Sequence, residues 1–523
     1  MQNNLTTEVL IIGAGPTGLS LACQLIRLGI DFVIIDTKET ITSFSKAIGV
    51  QARTLEIYEQ IGLADSLIEQ GTKAEKAQLW EGGEIRGEIK LADLGEGLSP
   101  YPFLLIVEQS KHEQLLNDFL QQHNKEVLWQ TELSNFSQDA NGVTAQVKNA
   151  GQTKTIQAKF LVGCDGAKSV VRHQLELEFE GSTFERLFYV ADVEITGQLD
   201  HSAVQIFLAQ STITAFFPIK GNTRYRIVGT FPEGHDKDEN EVIYEEIEQQ
   251  IIKDTKLHLD ITKVNWFSTY KVHSRHVNKF SEKRCFVAGD AAHIHTPAGA
   301  QGMNTGIQDA YNLAWKLALV LKGATDDKLL QTYIQERLEN AKNLLQTTDR
   351  IFDFGANTDP AIAYLRTHIF PHVAGFLLGF EAVKDYVFPL ISQIGINYRN
   401  SDLSMNTDHH FAVKAGDRMP YFKIENKSIY DILRQPKFHW ITFTNGEKDI
   451  SPMLAEIENV YAELIDFHTV SLTPDIEKIF GVSESFHVLL RPDNYIGFIV
   501  FKTSLSEVRR YFGKFGCIEE SCA

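Results

Sequence analysis

The segment that most constrains this chain is Gly13-Ala14-Gly15-Pro16-Thr17-Gly18, set between an apolar strand, Glu8–Ile12, and a helix of apolar period, about Thr17–Leu28. Gly29 closes that helix, a second strand runs over Phe32–Ile35, and Asp36 ends it. This spacing specifies a β-α-β unit in which the first glycine permits a tight turn. The second lets backbone approach a pyrophosphate, and the third lets helix and strand meet. Gly13, Gly15, Pro16, Thr17 and Gly18 are therefore candidate phosphate-binding residues, because a helix start offers free amides and partial positive charge. Asp36 would accept hydrogen bonds from a ribose. On these residues alone the dinucleotide is either FAD or NAD.

A second signal lies in Arg284–Trp315. It reads as a buried strand, Cys285–Ala288, then a glycine-rich loop, then a long helix near Asn304–Lys322 with Gly323 as its C-cap. Ile307, Ala310, Tyr311, Ala314, Leu317, Ala318 and Leu321 share one face of that helix. Gly289-Asp290 ends the strand, where Asp290 would grip a polyol chain. The amides of Gly302, Met303 and Asn304 would favour negative charge beyond the helix start.

At 523 residues the chain has room for about three domains. A net charge of −18 argues against nucleic acid or anionic membrane as partner. Five cysteines in this length fit a reducing compartment, so a cytoplasmic protein is expected. The first positive charge is Arg27, so no signal peptide is expected, and the apolar runs Pro360–Val383 and Tyr386–Ile396 are too interrupted by charge and proline to span a membrane. Short β-rich runs at Leu187–Ile195, Val204–Leu208, Thr212–Ile219 and Tyr225–Thr230 predict antiparallel strands. Their Phe207, Phe216, Phe217, Pro218, Tyr225 and Phe231 would suit an aromatic ligand. A helical stretch follows over Gln331–Ile351 and on to Ile394, then a polar linker, Asn397–Thr407. A smaller α/β unit has strand-like Trp440–Thr444, Tyr461–Ile465, His487–Leu490 and Gly497–Phe501.

With the stretch from Arg284 to Trp315 added to the glycine turn, the sequence resembles the class A flavoprotein monooxygenases, the para-hydroxybenzoate hydroxylase-like family of FAD-dependent aromatic hydroxylases. The likeness covers about Thr7–Leu321. By resemblance, Asp290 matches the aspartate on the FAD ribityl chain, and Pro297–Asn304 the loop beside the flavin ring. Gly163-Cys164-Asp165-Gly166 with Arg172 matches an Asp-Gly motif associated with FAD and NADPH. Gln109 matches a glutamine reaching the FAD phosphate and ribityl region, and Leu133 a backbone contact to adenine. Lys46 stands where the family usually has arginine, and Arg53 is retained either as an FAD contact or as a partner of Glu56 or Glu59. Ala415-Gly416-Asp417-Arg418-Met419-Pro420 and Arg491-Pro492-Asp493 resemble the thioredoxin-like appendage of the larger phenol and polyketide hydroxylases.

The resemblance implies an α/β fold: a Rossmann-like FAD-binding domain (1–180 and 276–400, the latter with a helical extension), an inserted antiparallel β-sheet substrate domain (181–275), and a thioredoxin-like C-terminal domain (408–523) lacking Cys-x-x-Cys. It implies FAD as cofactor, NADPH or NADH and O₂ as co-substrates, and hydroxylation of a phenolic or polycyclic aromatic compound through a C4a-hydroperoxyflavin. An antibiotic- or xenobiotic-modifying monooxygenase is the near variant, and a flavin reductase or dehydrogenase without oxygen transfer the alternative. The chain would act as monomer or homodimer. Cys23, Cys164 and Cys285 are too far apart in sequence for a disulfide reductase, and Cys517 and Cys522 read as a frayed end. His293 and His295 read as loop residues, so no metal ligand and no catalytic acid or base is singled out.

Overall fold

The computed structural model describes residues 5–42, 47–197, 199–209, 211–235, 238–296, 300–357, 359–371, 381–405, 410–446 and 451–516. Lys46, Pro297, Cys517 and Cys522 lie outside them. The chain opens β1 (Leu5–Ile12), α1 (Pro16–Arg27) and β2 (Phe32–Ile35), then α2 (Ala52–Glu59), the hairpin β3 (Lys76–Glu81) and β4 (Glu84–Lys90), and α3 (Gln109–Gln122). Three strands follow, β5 (Thr131–Gln138), β6 (Val143–Asn149) and β7 (Gln152–Gly163). Next come β8 (Phe179–Thr196), β9 (Ala203–Leu208), β10 (Ile213–Pro218), β11 (Arg224–Thr230), α4 (Tyr244–Thr255) and β12 (Asp260–Val277). The chain then returns through β13 (Cys285–Val287), α5 (Gly302–Leu321) and α6 (Lys328–Ala356), followed by α7 (Glu381–Ile391). It ends with β14 (Phe438–Thr444), α8 (Ser451–Tyr461), β15 (Ile465–Ser471), α9 (Pro474–Phe480), β16 (Phe486–Leu490), β17 (Ile496–Val500) and α10 (Leu505–Gly513).

The first sheet has the central order β13-β7-β1-β2, all parallel, with β6 antiparallel on the outer part of β7 and β5 antiparallel on β6. Strands buried on both faces need unbroken apolar sequence, and β1 supplies it in Val9–Ile12. The second sheet runs β12-β8-β11-β10-β9-β3-β4. Its strands pair antiparallel except β9 with β3. Two differences from expectation appear here. β3 and β4 come from well before residue 181, and β12 is not among the expected strands, because half of its residues are exposed and its sequence is largely polar.

The helix α5 is buried from Asn304 to Ala318 on every side, not on one face. It therefore encloses polar side chains, and those turn out to hold the molecule together. The segment expected as a linker is packed: Tyr398, Ser401 and Leu403 are buried, and Tyr398 N–H bonds Gly416 O at 2.7 Å. Of Tyr461–Ile465, Tyr461–Leu464 is the end of α8 and a turn, and only Ile465 is strand, as the first residue of β15; Ile457 and Tyr461, one helical turn apart, both enter the core. The C-terminal sheet has order β15-β14-β16-β17, with β14 and β15 parallel and the other pairs antiparallel. No helix among the described residues is long and apolar enough to cross a membrane.

Candidate active site

Parallel strands present all their carboxyl ends along one edge, and that edge gathers the sequence-derived residues. Ile12 pairs with Ile35 and with Gly163, and Gly163 pairs with Val287. The loops beginning at Gly13, Asp36, Cys164 and Ala288 consequently start side by side. Gly13 takes φ +101°, and a Cβ there would lie 2.4 Å from Cys164 O, so neither the conformation nor the space admits a side chain. At Gly18 a Cβ would sit 2.0 Å from Gly13 O, so strand and helix meet there. Gly15 differs: a Cβ there would meet no heavy atom within 4 Å. Gly15, Pro16 and Thr17 form the half-buried, open side of the turn. Asp36 accepts from Ala14 N–H at 2.7 Å and from Lys38 N–H at 2.8 Å, which fixes its carboxylate beside the turn. Thr131 N–H bonds Asp36 O at 2.9 Å, bringing β5 with its buried Leu133 to the same corner.

Thr17 is the hub of a second close approach. A Cβ at Gly289 would lie 2.4 Å, and one at Gly306 2.3 Å, from Thr17 Oγ1, so the Thr17 side chain of α1 packs directly on the backbone at the end of β13 and in α5. Gly289 and Asp290 form a single 3-10 turn, with Gly289 buried and Asp290 exposed. Asp309 pins this turn from within α5. Its Oδ2 accepts from Gly289 N–H at 2.9 Å and from His293 Nε2 at 2.7 Å, while Oδ1 accepts from Arg337 Nε at 2.6 Å. Burial pushes the Asp309 carboxyl pKa up, but the charges of Arg337 and His293 outweigh it and hold the pKa below the usual carboxylate value. His293 is thus no loop residue: it pairs with β12 and is 1% exposed. The amphipathic pattern of this helix does not single out Asp309; the sequence signal for its role is a carboxylate between Gln308 and Ala310 near the buried helix start.

Other expected ligands are engaged by protein. Asp165 accepts from Ser169 Oγ at 2.5 Å and Val171 N–H at 3.2 Å, and burial raises its carboxyl pKa. Arg172 donates to Ala291 O and Ala167 O and stacks on Phe179, so its charge serves the fold. Arg53 is fully buried, paired with Glu56 at 3.1 Å, one of the partners expected of it, and donating to Asp493 O at 3.0 Å, so the C-terminal unit docks over the start of α2. Gln109 accepts from Ala47 N–H at 3.1 Å and donates to Glu113 at 2.7 Å, tying the loop before Ile48 to α3. The Asn304 side chain accepts from Gln51 N–H and Thr54 Oγ1 and donates to Gly49 O, so it locks the α5 start to that region. Gly302 and Met303 are half-buried at the same helix start. His295 donates from Nδ1 to Thr296 O, and burial lowers its pKa to about 4, so it is neutral with Nε2 buried and without a protein partner beside Gly302.

The second sheet corrects the aromatic assignment. Side chains alternate along a strand, so consecutive residues such as Phe216 and Phe217 cannot serve one face. Phe207, Phe216, Tyr225 and Phe231 lie in a sealed core with Ile247 and Ile251 of α4, and Pro218 is also buried. Phe217 faces the other way, toward Ile48, Leu104 and Ile106 of the first unit. That face also carries half-buried Ile206, Ala215 and Val228. It carries a buried pair besides: Arg226 forks Asp192 at 2.6 and 2.8 Å, donates to Ala47 O at 3.3 Å, and lies over Trp266, whose Nε1 donates to Asp192 at 2.9 Å.

The carboxyl edge fits a flavin dinucleotide: an open ledge at Gly15, a helix N-cap there with no side-chain acceptor, a fixed carboxylate at Asp36, and an exposed carboxylate at Asp290. Comparison with known proteins agrees. Residues 6–348 match the family model described as an FAD binding domain. The chain is 32% identical over 505 residues to a flavin-dependent monooxygenase of Mycobacteroides abscessus, covering 94% of this chain and 96% of the relative. It is 31% identical over 519 residues to the 6-methylpretetramide 4-monooxygenase of Streptomyces rimosus, covering 94% and 90%. The solved structure of the anhydrotetracycline hydroxylase OxyS from Streptomyces rimosus superposes with TM-score 0.77 at 25% identity, covering 98% of this chain and all of that one. The chain therefore belongs to the FAD-binding-domain family of flavin-dependent monooxygenases.

Proposed function

We propose that the enzyme hydroxylates a phenolic or polycyclic aromatic compound, with electrons from NADPH or NADH and one oxygen atom from O₂, the other leaving as water. The observation that carries this reading is the half-exposed apolar face of Ile206, Ala215, Phe217 and Val228, directed at the first unit next to the Ala47–Gln51 segment. A partly exposed apolar face over a carboxyl-edge site would orient a flat ring and keep water out. Relatives that bear names of tetracycline-pathway monooxygenases support a polycyclic substrate.

FAD, when bound, supplies the hydride-accepting and oxygen-transferring chemistry. The chain's residues do the rest. The turn at Gly13–Gly18 and the α1 start would hold the pyrophosphate, Asp36 the ribose and Asp290 the ribityl chain. The α5 start, half-buried at Gly302 and Met303, would set helix-end amides toward negative charge on the bound group. Lys46 would add charge near the pyrophosphate. Arg226 and Asp192 neutralise each other, so the roof presents no net charge to a neutral ring while holding Ala47 in place. With His295 neutral, its Nε2 can accept a hydrogen bond beside the α5 start.

In this reading residues 1–180 and 276–400 form the FAD-binding unit and 181–275, with β3 and β4 joined to it, the substrate roof. The β-α-β-α-β-β-α order of 438–513 supports a thioredoxin-like appendage without Cys-x-x-Cys, docked through Asp493 on Trp315 of α5 and through Arg491 on Glu336 of α6. Free, buried Cys23, Cys164 and Cys285 suit a cytoplasmic enzyme. One dinucleotide turn is present among the described residues, which supports a nicotinamide donor that binds transiently, and the resemblance to the family supports gating of hydride transfer by the aromatic substrate. Anaerobic stopped-flow reduction tests this: substrate should accelerate it about tenfold or more, equivalent to about 1.4 kcal/mol of barrier. Equal rates with and without a compound that is hydroxylated would overturn the gating.

A further inference from the structure

On the C-terminal unit, parallel pairing of β14 with β15 sets His439 opposite Asp466 and Ile441 opposite His468. Asp466 and His468, two residues apart on one strand, share the face that His439 occupies. His439 Nδ1 lies 3.1 Å from His468 Nε2 and 3.7 Å from Asp466 Oδ2, and His468 Nε2 lies 3.2 Å from that oxygen. Among the described residues this is the one trio of His, Cys, Asp or Glu whose ligand atoms fall within 4.8 Å of one another. His439 is fully buried, and its Nε2 lies 3.1 Å from Gln435 O. That nitrogen donates to the carbonyl, which leaves the Nδ1 lone pair aimed at the other two side chains.

We propose that His439 Nδ1, His468 Nε2 and Asp466 Oδ2 bind one divalent cation of the zinc type, with water completing the coordination. A tetrahedral ion holding its ligands at about 2.0–2.1 Å separates neighbouring donor atoms by about 3.3–3.4 Å. The spacings of 3.1, 3.2 and 3.7 Å straddle that value. Two imidazoles and one carboxylate select Zn²⁺ over Ca²⁺ or Mg²⁺, which take oxygen ligands. Asp466 and His468 have side chains 35% and 16% exposed, so an ion can enter from one side. The site also lies at a seam: Arg27, the last residue of α1, donates to Arg434 O at 2.7 Å and to Gln435 O at 3.4 Å, the second being the carbonyl that orients His439. A bound ion would brace the loop on which α1 rests.

The test uses tag-free, FAD-loaded full-length protein, stripped with chelator and titrated with Zn²⁺ or Co²⁺ alone. Expected are one equivalent per chain, a low-symmetry cobalt absorption and a Zn²⁺-dependent rise in melting temperature. His468→Ala and Asp466→Asn, both at partly exposed positions, should each weaken binding at least about tenfold, since losing even an outer-shell partner costs about 10–100-fold. FAD content, read by absorbance, should stay unchanged in both. Less than one equivalent in the parent, or binding that survives in the double variant, overturns the proposal while leaving the flavin site standing.

Discussion

Gly15→Ala separates cofactor binding from folding at the glycine turn. Gly15 has φ −82° and ψ −176°, an extended conformation open to alanine, and its new methyl would meet no protein atom within 4 Å. As an N-cap exchange it should cost the apoprotein no more than about 1 kcal/mol. Gly18→Ala would instead place a methyl 2.0 Å from Gly13 O and force α1 away from β1, destabilising the apoprotein by about 1–3 kcal/mol or more. The Gly15 methyl stands on the ledge where a phosphate must reach the helix amides. Losing one charge-assisted hydrogen bond there costs about 1.5–3 kcal/mol, so the FAD dissociation constant should rise about 10- to 150-fold. At FAD about 100-fold above the parent Kd, ligand-linked stabilisation is about 2.7 kcal/mol, falling to about 0.4 kcal/mol if Kd rises about 100-fold. FAD titration by fluorescence quenching, with urea melts of apo and loaded protein, reads both quantities. An apoprotein as unstable as Gly18→Ala with unchanged FAD affinity would refute the placement of the pyrophosphate.

Glu336 is fully buried against Lys316, Arg491, Asn312 and Ser401 at 2.6–3.0 Å. Glu336→Ala leaves two buried cations short of a partner and should cost about 3–5 kcal/mol, with faster proteolysis of the C-terminal unit; a change below about 1 kcal/mol would contradict that role. Phe216→Ala should destabilise the fold by about 3–5 kcal/mol as a core cavity, whereas Phe217→Ala should mainly raise the KM of the aromatic substrate; reversed effects would mean the two faces are misassigned. Burial holds the pKa of His112 to about 3 and that of His295 to about 4, below the ordinary 6.5. The unfolded chain therefore binds protons that the folded one refuses. Their contribution is present above pH ~6.5 and is lost on acidification toward the folded values, at about 1.4 kcal/mol per pH unit for each group. Urea melts at pH 7.5 and 5.0 should show the fall, and stability that rises instead would contradict it.

The β-α-β opening was legible because its signal is local: an apolar run, glycines at fixed spacing and an acidic strand end all lie between Glu8 and Asp36. The end of β13 and the α5 start were legible for the same reason. What escaped depends on register. Whether Phe216 or Phe217 faces the flavin side follows from the pairing of β10 with β11, which sequence alternation cannot orient without knowing which face α4 covers. Asp309, His293 and Arg337 come from three elements and meet only in the folded chain. His439 lies 27 residues before Asp466 and joins it through strand pairing alone, although Asp466-Phe467-His468 already put two ligand types on one strand face. Arg53 divides the same way: its pair with Glu56, three residues on, was legible, whereas its bond to Asp493 O joins positions 440 residues apart.

The central claim is that the chain inserts one atom of O₂ into an aromatic ring. Turnover of the FAD-loaded enzyme with NADPH or NADH under ¹⁸O₂, against a panel of phenolic and polycyclic compounds, reads this in the mass of the product. The expected result is a hydroxylated product carrying one labelled oxygen, formed together with oxidised nicotinamide. Nicotinamide oxidation that yields only hydrogen peroxide across the panel, or a hydroxylated product whose new oxygen is unlabelled, would contradict the account.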